Sequence, residues 1–152
     1  MLVVALIALI AALIIVALNN ARVKARDTKR KADIAQLVKG LDLYYANNQA
    51  YPATGWVLST DTTNWPALLQ PYVQTMPKDP INNGDPRTGN LGYAYFGDNA
   101  NTLGCGNGQA YILVYDLEIL DVSSPGMTGC NGTSTQYTGP APKSITLGSR
   151  SK

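Results

Sequence analysis

The first eighteen residues constrain this chain more than any other feature of its sequence. From Met1 to Leu18 every residue is Ala, Val, Ile, Leu or Met. As an α-helix this run would rise roughly 27 Å, close to the roughly 30 Å hydrocarbon core of a bilayer. Its apolar residues form no single stripe, so such a helix needs an apolar environment on every side, in lipid or in protein. The candidate residues of this helix are Met1, Leu2, Val3, Val4, Leu6, Ile7, Leu9, Ile10, Leu13, Ile14, Ile15, Val16 and Leu18.

Three roles of the apolar run are considered. A cleaved secretory signal is disfavoured, because no basic residue precedes the run and residues 18–21 form a poor cleavage site. The second role is a simple membrane anchor. The third is a helix that lies first in lipid and is later transferred into a bundle of protein helices.

Charge is distributed unevenly along the chain. Residues 1–39 hold seven basic and two acidic side chains, a net charge of +5, whereas residues 40–152 hold five basic and eight acidic ones, a net charge of −3. We expect the basic part of one copy to attract the acidic part of another, setting register more than strength, because surface ion pairs contribute only about 0–1 kcal/mol each. Six basic residues directly after the apolar run form what we call the basic collar: Arg22, Lys24, Arg26, Lys29, Arg30 and Lys31.

The sequence lacks most of the residue types and motifs that enzymes and cofactor-binding proteins commonly use. The chain has no histidine, the commonest general base and metal ligand, and two cysteines alone cannot form a structural zinc site. Glycine-rich phosphate-binding loops with the usual spacing are missing. Residues 19–43 contain no aromatic side chain on which a base could stack. We therefore expect no catalytic activity, no cofactor, and no nucleic acid as the main partner.

Two groups of polar residues are weak candidates for chemistry. Asp116 and Glu118 share one face of a predicted strand, but no nucleophile accompanies them, which favours a solvent-exposed strand end. The other group could supply oxygen ligands to calcium, although it lacks the spacing and the bidentate glutamate of a calcium loop and is typical of a solvated turn. That second group consists of Asp79, Asn82, Asn83 and Asp85.

The two cysteines leave two possibilities open. Cys105 and Cys130 enclose 24 residues rich in Gly, Asn and Thr. A disulfide between them would suit an oxidising compartment and would contribute about 3 kcal/mol, mainly by restricting the unfolded chain. Two buried free thiols are the alternative. An oxidising compartment conflicts with the basic collar, because positive charge beside a membrane span usually stays in the cytoplasm.

Helical features continue beyond the apolar run. No proline or glycine occurs before Gly40, and Tyr51-Pro52 then disfavours further helix. We predict one helix of about 48 residues that ends near Asn47-Asn48 and is roughly 70 Å long. Its second half has an amphipathic face. That face consists of Ile34, Leu37, Val38, Leu41, Tyr44 and Tyr45.

The remainder of the chain predicts a small α+β head. Tyr93–Phe96 predicts a short strand, and Gln109–Leu120 predicts a central strand that is apolar on both faces and covered by the long helix. Short edge strands are predicted at residues 135–137 and 144–147.

Between the long helix and these strands, we predict a loop and a short helix. The loop covers residues 51–63, and the helix covers residues 65–70, with Asn64 as its cap and Pro66 in its first turn.

The order of segments carries a family resemblance. The run MLVVALIALIAALIIVAL is followed by ARVKARDTKRKADIAQL and then by LDLYYANNQAYP, and later come LLQPYVQTMPKDPINNG, YAYF and YILVYDLE. This order resembles the N-terminal stem and the head of type IV pilins and of the related type II secretion pseudopilins. The likeness covers residues 1 to about 120.

The resemblance implies the pilin fold, an α+β fold in which a long N-terminal α-helix packs on a small antiparallel β-sheet. It also implies a structural subunit of an extracellular helical filament, with the major pilin of a type IV pilus placed first. The alternatives are a pseudopilin of a short periplasmic fibre and an anchored binding module that never polymerises. The expected units are a transmembrane or filament-core helix at residues 1–21, its amphipathic continuation at 22–50, and a head at 51–152.

The same resemblance implies partners and locations. Identical subunits would form the filament, and an inner-membrane platform and a cytosolic ATPase would assemble it from single-pass membrane protein. In the family, a basic leader, a cleavage point, a phenylalanine and a glutamate precede the stretch matching residues 1–4, and they have no counterpart in this sequence. Either the first residues are missing from this sequence or the protein starts differently. If they are missing, the basic collar lies outside the membrane with the head.

Overall fold

The computed structural model of the chain describes residues 2–119, 123–137 and 144–150. One long helix, α1, covers Leu2–Asn48 and is called the stem helix below. Its predicted end is confirmed. The one glycine within it, Gly40, lies where the head packs most closely, since a Cβ at this position would be 2.5 Å from Cγ2 of Val73.

The head contains a four-stranded antiparallel sheet and a small two-stranded sheet. The strand order of the larger sheet is β1-β2-β3-β6, and β4 pairs with β5. In the register of the larger sheet, Leu113 of β3 lies between Tyr95 of β2 and Leu147 of β6. The strands are β1 (Gly55–Leu58), β2 (Tyr93–Gly97), β3 (Ala110–Asp116), β4 (Met127–Thr128), β5 (Ser134–Thr135) and β6 (Ser144–Arg150).

The α+β fold is confirmed, together with its central strand. β3 lies inside the sheet, as predicted, but it ends at Asp116, four residues before the predicted end. The expected loop at residues 51–63 contains β1, which was missed because four residues beginning with glycine give little strand signal. The edge strand predicted at residues 144–147 is present as β6 and extends to Arg150.

Apolar clusters cover both faces of the larger sheet, which explains why β3 is apolar on both sides. One cluster lies between the sheet and the stem helix and is rich in tyrosine. The other lies on the opposite face, under the segment that carries the disulfide. The first cluster includes Ile34, Leu37, Leu41, Trp65, Leu69, Tyr93, Tyr95, Tyr111, Leu113 and Tyr115. The second includes Ala94, Leu103, Ala110, Ile112, Val114 and Met127.

The short helix α2 covers Asn64–Ala67 and is capped differently from the prediction. The Asp61 carboxylate accepts hydrogen bonds from the backbone N–H groups of Thr63 and Asn64, at 2.8 and 2.9 Å. Asn64 is therefore inside the helix, and the prediction that it is the cap was wrong. The helix is anchored by Trp65, which is fully buried and donates from Nε1 to the carbonyl oxygen of Pro77 at 2.7 Å.

Candidate functional site

The first part of the stem helix presents a large aliphatic surface. In the isolated chain its described large side chains are each at least 50% exposed. Exposed apolar side chains gathered on one segment in this way mark a site of contact with protein or membrane. The residues with described side chains are Val3, Val4, Ile7, Leu9, Ile10, Ile15 and Leu18.

The structure does not describe every residue of the predicted filament-core helix. Met1 is not among the described residues, and the side chains of Leu2, Leu6, Leu13, Ile14 and Val16 are not described either. Within the described part of the chain, no helix combines the length and the apolarity that a membrane crossing requires.

The junction between the stem helix and the head is built around Arg30, whose side chain is fully buried. Its Nε donates to Oδ2 of Asp79 at 2.5 Å, and its Nη1 donates to Oδ1 of Asp27 at 2.6 Å and to Oε1 of Glu118 at 2.7 Å. Arg26 donates from Nε to the same Glu118 oxygen at 2.7 Å. These five residues form what we call the junction cluster.

The junction cluster also fixes the backbone that follows β3. The Asp27 carboxylate accepts from the N–H groups of Glu118 and Ile119, at 3.0 and 2.8 Å. The Asp79 carboxylate likewise accepts hydrogen bonds from the backbone N–H groups of Ile81 and Asn82. One turn of the stem helix is therefore tied to two separate segments of the head.

Mutual pairing keeps the junction cluster ionised. The hydrogen bond from Arg26 is the main cause that lowers the pKa of Glu118 to about 2, with Arg30 adding to it. Burial opposes ionisation of Asp79, but hydrogen bonds from Arg30 and from two backbone amides bring its pKa below the ordinary value. Burial also opposes the charge of Arg30, but the hydrogen bonds that it donates to the three carboxylates raise its pKa.

Another carboxyl group, that of Asp116, lies beside this cluster, and no arginine binds it in the described part of the chain. It is 3% exposed, and its Oδ1 accepts no hydrogen bond in the described part of the chain. Burial raises its pKa to about 6, although a hydrogen bond from Ser144 and the charge of Arg30 oppose the rise. Asp116 lines a cavity of about 490 Å³ between the stem helix and the head.

The outer face of the sheet is closed by a disulfide between Cys105 and Cys130. This outcome confirms one of the two possibilities that the sequence left open. The bond joins the loop after β2 to the β4–β5 hairpin, and the backbone N–H of Cys130 also donates to the carbonyl oxygen of Leu103 at 2.7 Å. The disulfide therefore holds this loop and this hairpin over the second apolar cluster.

The sequence was compared with known protein families. The family model described as "Type II secretion system (T2SS), protein G" matches residues 17–86. Over these residues the chain is similar to the pilin and pseudopilin family. No curated protein and no solved structure matches the chain.

The match covers part of the stem helix and the first elements of the head. It spans most of the stem helix, β1 and α2, and it includes Asp27, Arg30 and Asp79 of the junction cluster. Asp116 and Glu118 lie beyond its end. The match supports a pilin-like or pseudopilin-like structural subunit of a secretion or pilus system.

The basic collar of this pilin-like chain is not a uniform surface. Arg26 and Arg30 bind carboxylates of their own chain, and Nζ of Lys29 donates to Asp33 at 2.6 Å. Arg22 and Lys24 are exposed and form no ion pair within the described residues. The sequence analysis treated all six basic residues alike and missed the burial of Arg30. The spacing of Asp27 and Arg30, three apart on one helix face, was the available signal.

The expected exposed strand end at Asp116 and Glu118 was wrong. Asp116 is buried, and Glu118 is bound by two arginines of the stem helix. In the weak calcium candidate, Asp79 binds Arg30 and Asp85 binds Arg87. Among the described residues, no group of three or more acidic or cysteine side chains is arranged to hold a metal ion.

Proposed function

We propose that this chain is a structural subunit of a helical filament that polymerises through the apolar part of its stem helix. The observation that carries the proposal is the row of at least half-exposed aliphatic side chains on a helix whose other half is packed against the head. A structural role without catalysis or a cofactor is part of the proposal. Before assembly the subunit would be held in the inner membrane by the same helix.

The physical chemistry favours assembly over exposure to water. Burying a large aliphatic side chain contributes about 1.5–3 kcal/mol relative to leaving it in water. The free energy of the helix in the membrane and its free energy in the filament differ much less, because lipid tails already give an apolar helix an apolar environment. Extraction from the membrane therefore needs an external energy source. By the family resemblance, this would be a cytosolic ATPase that acts through a membrane platform.

Two kinds of filament fit the family match. The matching model describes a component of the type II secretion system, and it supports a filament subunit of either kind; the type IV pilus stays first in the proposal, with the secretion pseudopilus as the alternative. Electron microscopy of cells that produce the chain at its natural level distinguishes the two. Short filaments confined to the periplasm support the pseudopilus, and long surface filaments containing this chain support the pilus.

Substitution of Leu9 tests polymerisation itself. Leu9 is 62% exposed in the isolated chain. Leu9→Lys is expected to abolish filament formation, because a charge would have to be buried among apolar helices. The head should remain folded, since Leu9 is far along the stem from its contacts. The measurements are electron microscopy of sheared filaments and circular dichroism of the detergent-solubilised subunit.

A matched control places the same charge on the head. Ile81 is also exposed, at 43%, and Ile81→Lys is expected to leave filaments in normal numbers. Normal filaments from Leu9→Lys would contradict the proposal. A wild-type subunit that stays monomeric in mild detergent, and forms no filaments even when overproduced, would support the anchored binding module instead.

A further inference from the structure

Ion pairs within the chain divide the basic collar into two parts. Arg26 and Arg30 are bound by carboxylates of the junction cluster, and Lys29 is bound by a carboxylate one turn further along the stem helix. Arg22 and Lys24 are exposed, and neither forms an ion pair within the described part of the chain. The end of the collar nearest the apolar run therefore offers positive charge to a partner outside the chain.

These two bases lie directly beyond the apolar part of the stem helix. Along the helix axis, Arg22 and Lys24 are about 6 and 9 Å beyond Leu18, the last residue of the apolar run. The headgroup layer of one leaflet is about 5–7.5 Å thick. Long basic side chains bend toward a charged layer while their stems lie along apolar surface. When the apolar run lies in the hydrocarbon core, both charges reach the headgroups.

The head reaches the same height as these bases. Ile119, which follows β3, is 47% exposed, and its backbone N–H donates to the Asp27 carboxylate at 2.8 Å. Ile119 lines one cavity together with Asn20 and a smaller one, of about 290 Å³, together with Lys24. An exposed apolar side chain of the head therefore lies beside the part of the stem helix that carries the two bases.

The charges around this part of the stem favour an anionic partner. Of the described carboxylates near this height, Asp27 and Glu118 are bound by arginines of the stem helix, and Asp116 is buried. They do not neutralise the two exposed bases. Bases beside an apolar side chain match the surface of an anionic leaflet, where phosphate groups lie directly above hydrocarbon. A free phosphate ion would use the bases but not Ile119.

We propose that Arg22, Lys24 and Ile119 form a membrane-docking patch, which binds the headgroups of anionic phospholipids in the leaflet beside the head. The inference rests on the proposed function, because that function places the apolar part of the stem helix in the membrane before assembly. It adds a lipid class and a position for the head. The bases bind lipid phosphates and Ile119 inserts at the leaflet surface, so that the head is held at a fixed height.

Quenching of a tryptophan beside the patch measures which lipids surround it. The reporter Ala21→Trp is placed in the full chain, at an exposed position. The chain is reconstituted at low salt in phosphatidylcholine vesicles that contain phosphatidylglycerol, and one of the two lipids carries brominated chains. The signal of the chain without the reporter, which contains Trp56 and Trp65, is subtracted. We expect each base to favour phosphatidylglycerol about fivefold at the reporter.

Variants of the reporter chain assign this preference to the patch. Arg22→Gln and Lys24→Gln should each reduce the preference about fivefold, and the double variant should abolish it. High salt should weaken it in the unsubstituted reporter chain, because salt screens exposed charges. The matched control is Lys39→Gln, at an exposed position about 22 Å further along the stem helix than Lys24. An equal loss from Lys39→Gln, or an unchanged preference in the double variant, would overturn the patch.

Thiol labelling tests the contribution of Ile119. Both native cysteines are in the disulfide, so Ile119→Cys introduces a single reactive thiol. An uncharged, water-soluble maleimide should label it several-fold more slowly in vesicles with phosphatidylglycerol than in pure phosphatidylcholine. In the double variant the two rates should be equal. Ile81→Cys is the control, because Ile81 is also exposed and follows Asp79, which binds Arg30 about 9 Å further along the stem than Lys24. Its labelling rate should be the same in both vesicles.

The outcomes separate lipid docking from other partners and from the proposed function. Loss of the lipid preference on addition of inorganic phosphate at constant ionic strength would assign the bases to a free ion and overturn lipid docking. Labelling of Ile119→Cys that does not depend on lipid charge would also contradict the patch. A chain that forms filaments but shows no lipid preference refutes the patch alone. A chain that prefers phosphatidylglycerol but forms no filaments refutes the filament and leaves the patch.

Discussion

Replacing Arg30 with methionine is expected to lower the free energy of unfolding by about 3–5 kcal/mol, the usual cost of breaking a buried ion-pair network from one side. Arg30 is fully buried and binds three carboxylates. Methionine keeps an unbranched, flexible apolar stem but lacks the guanidinium group, so it leaves Asp27 and Asp79 buried without their cation. Urea unfolding of the full chain in detergent at pH 7, followed by circular dichroism, gives the measurement.

Two other arginines of the stem helix serve as controls. Arg26 is 32% exposed and binds only Glu118 of the cluster, so Arg26→Met is expected to cost much less stability than Arg30→Met. Arg22 is exposed, and Arg22→Met should change the stability by less than about 0.5 kcal/mol. Adding Asp79→Asn to Arg30→Met should recover part of the loss, because one uncompensated charge is removed. If Arg30→Met costs no more than Arg26→Met, the junction cluster does not hold the head on the stem.

The elements that could be predicted are those with a local signal. The stem helix follows from a run that has no proline and no glycine before Gly40, and its end follows from Tyr51-Pro52. β3 follows from apolar residues on both faces, which only an interior strand tolerates. β1 was missed because its four residues become a strand only through pairing with β2, a contact between segments about forty residues apart.

The junction cluster could not be derived from the sequence, because it depends on which distant segments meet. Arg30 lies 49 residues from Asp79 and 88 from Glu118. The sequence contains several acidic residues that could equally be paired or solvated, and only the packed fold selects among them. The same reason explains Asp116, whose burial depends on β6 and the stem helix lying on either side of the end of β3.

Replacing Asp116 with asparagine is expected to stabilise the isolated subunit at neutral pH by about 2–3 kcal/mol. The carboxyl is 3% exposed, and burial raises its pKa from 3.8 to about 6. Between these two values the folded chain binds a proton that the unfolded chain releases. Above pH 6 both states are ionised, and the folded state carries the full cost of a buried charge. Asparagine has nearly the same shape and can still bind Ser144 without that charge.

The sign of the pH dependence follows from the direction of the shift. Because the folded pKa of Asp116 is higher than the unfolded one, its contribution to stability decreases as pH rises from about 4 to about 6. Glu118 acts in the opposite direction, since its pKa is lowered to about 2 and its contribution is lost as pH falls below about 4.5. The difference between Asp116→Asn and the wild type isolates Asp116, because Glu118 is present in both chains.

Thermal unfolding of both chains in detergent at pH 4.5 and pH 7.5 checks this prediction. The advantage of Asp116→Asn should be small at pH 4.5 and near its maximum at pH 7.5, and an equal advantage at both values would contradict it.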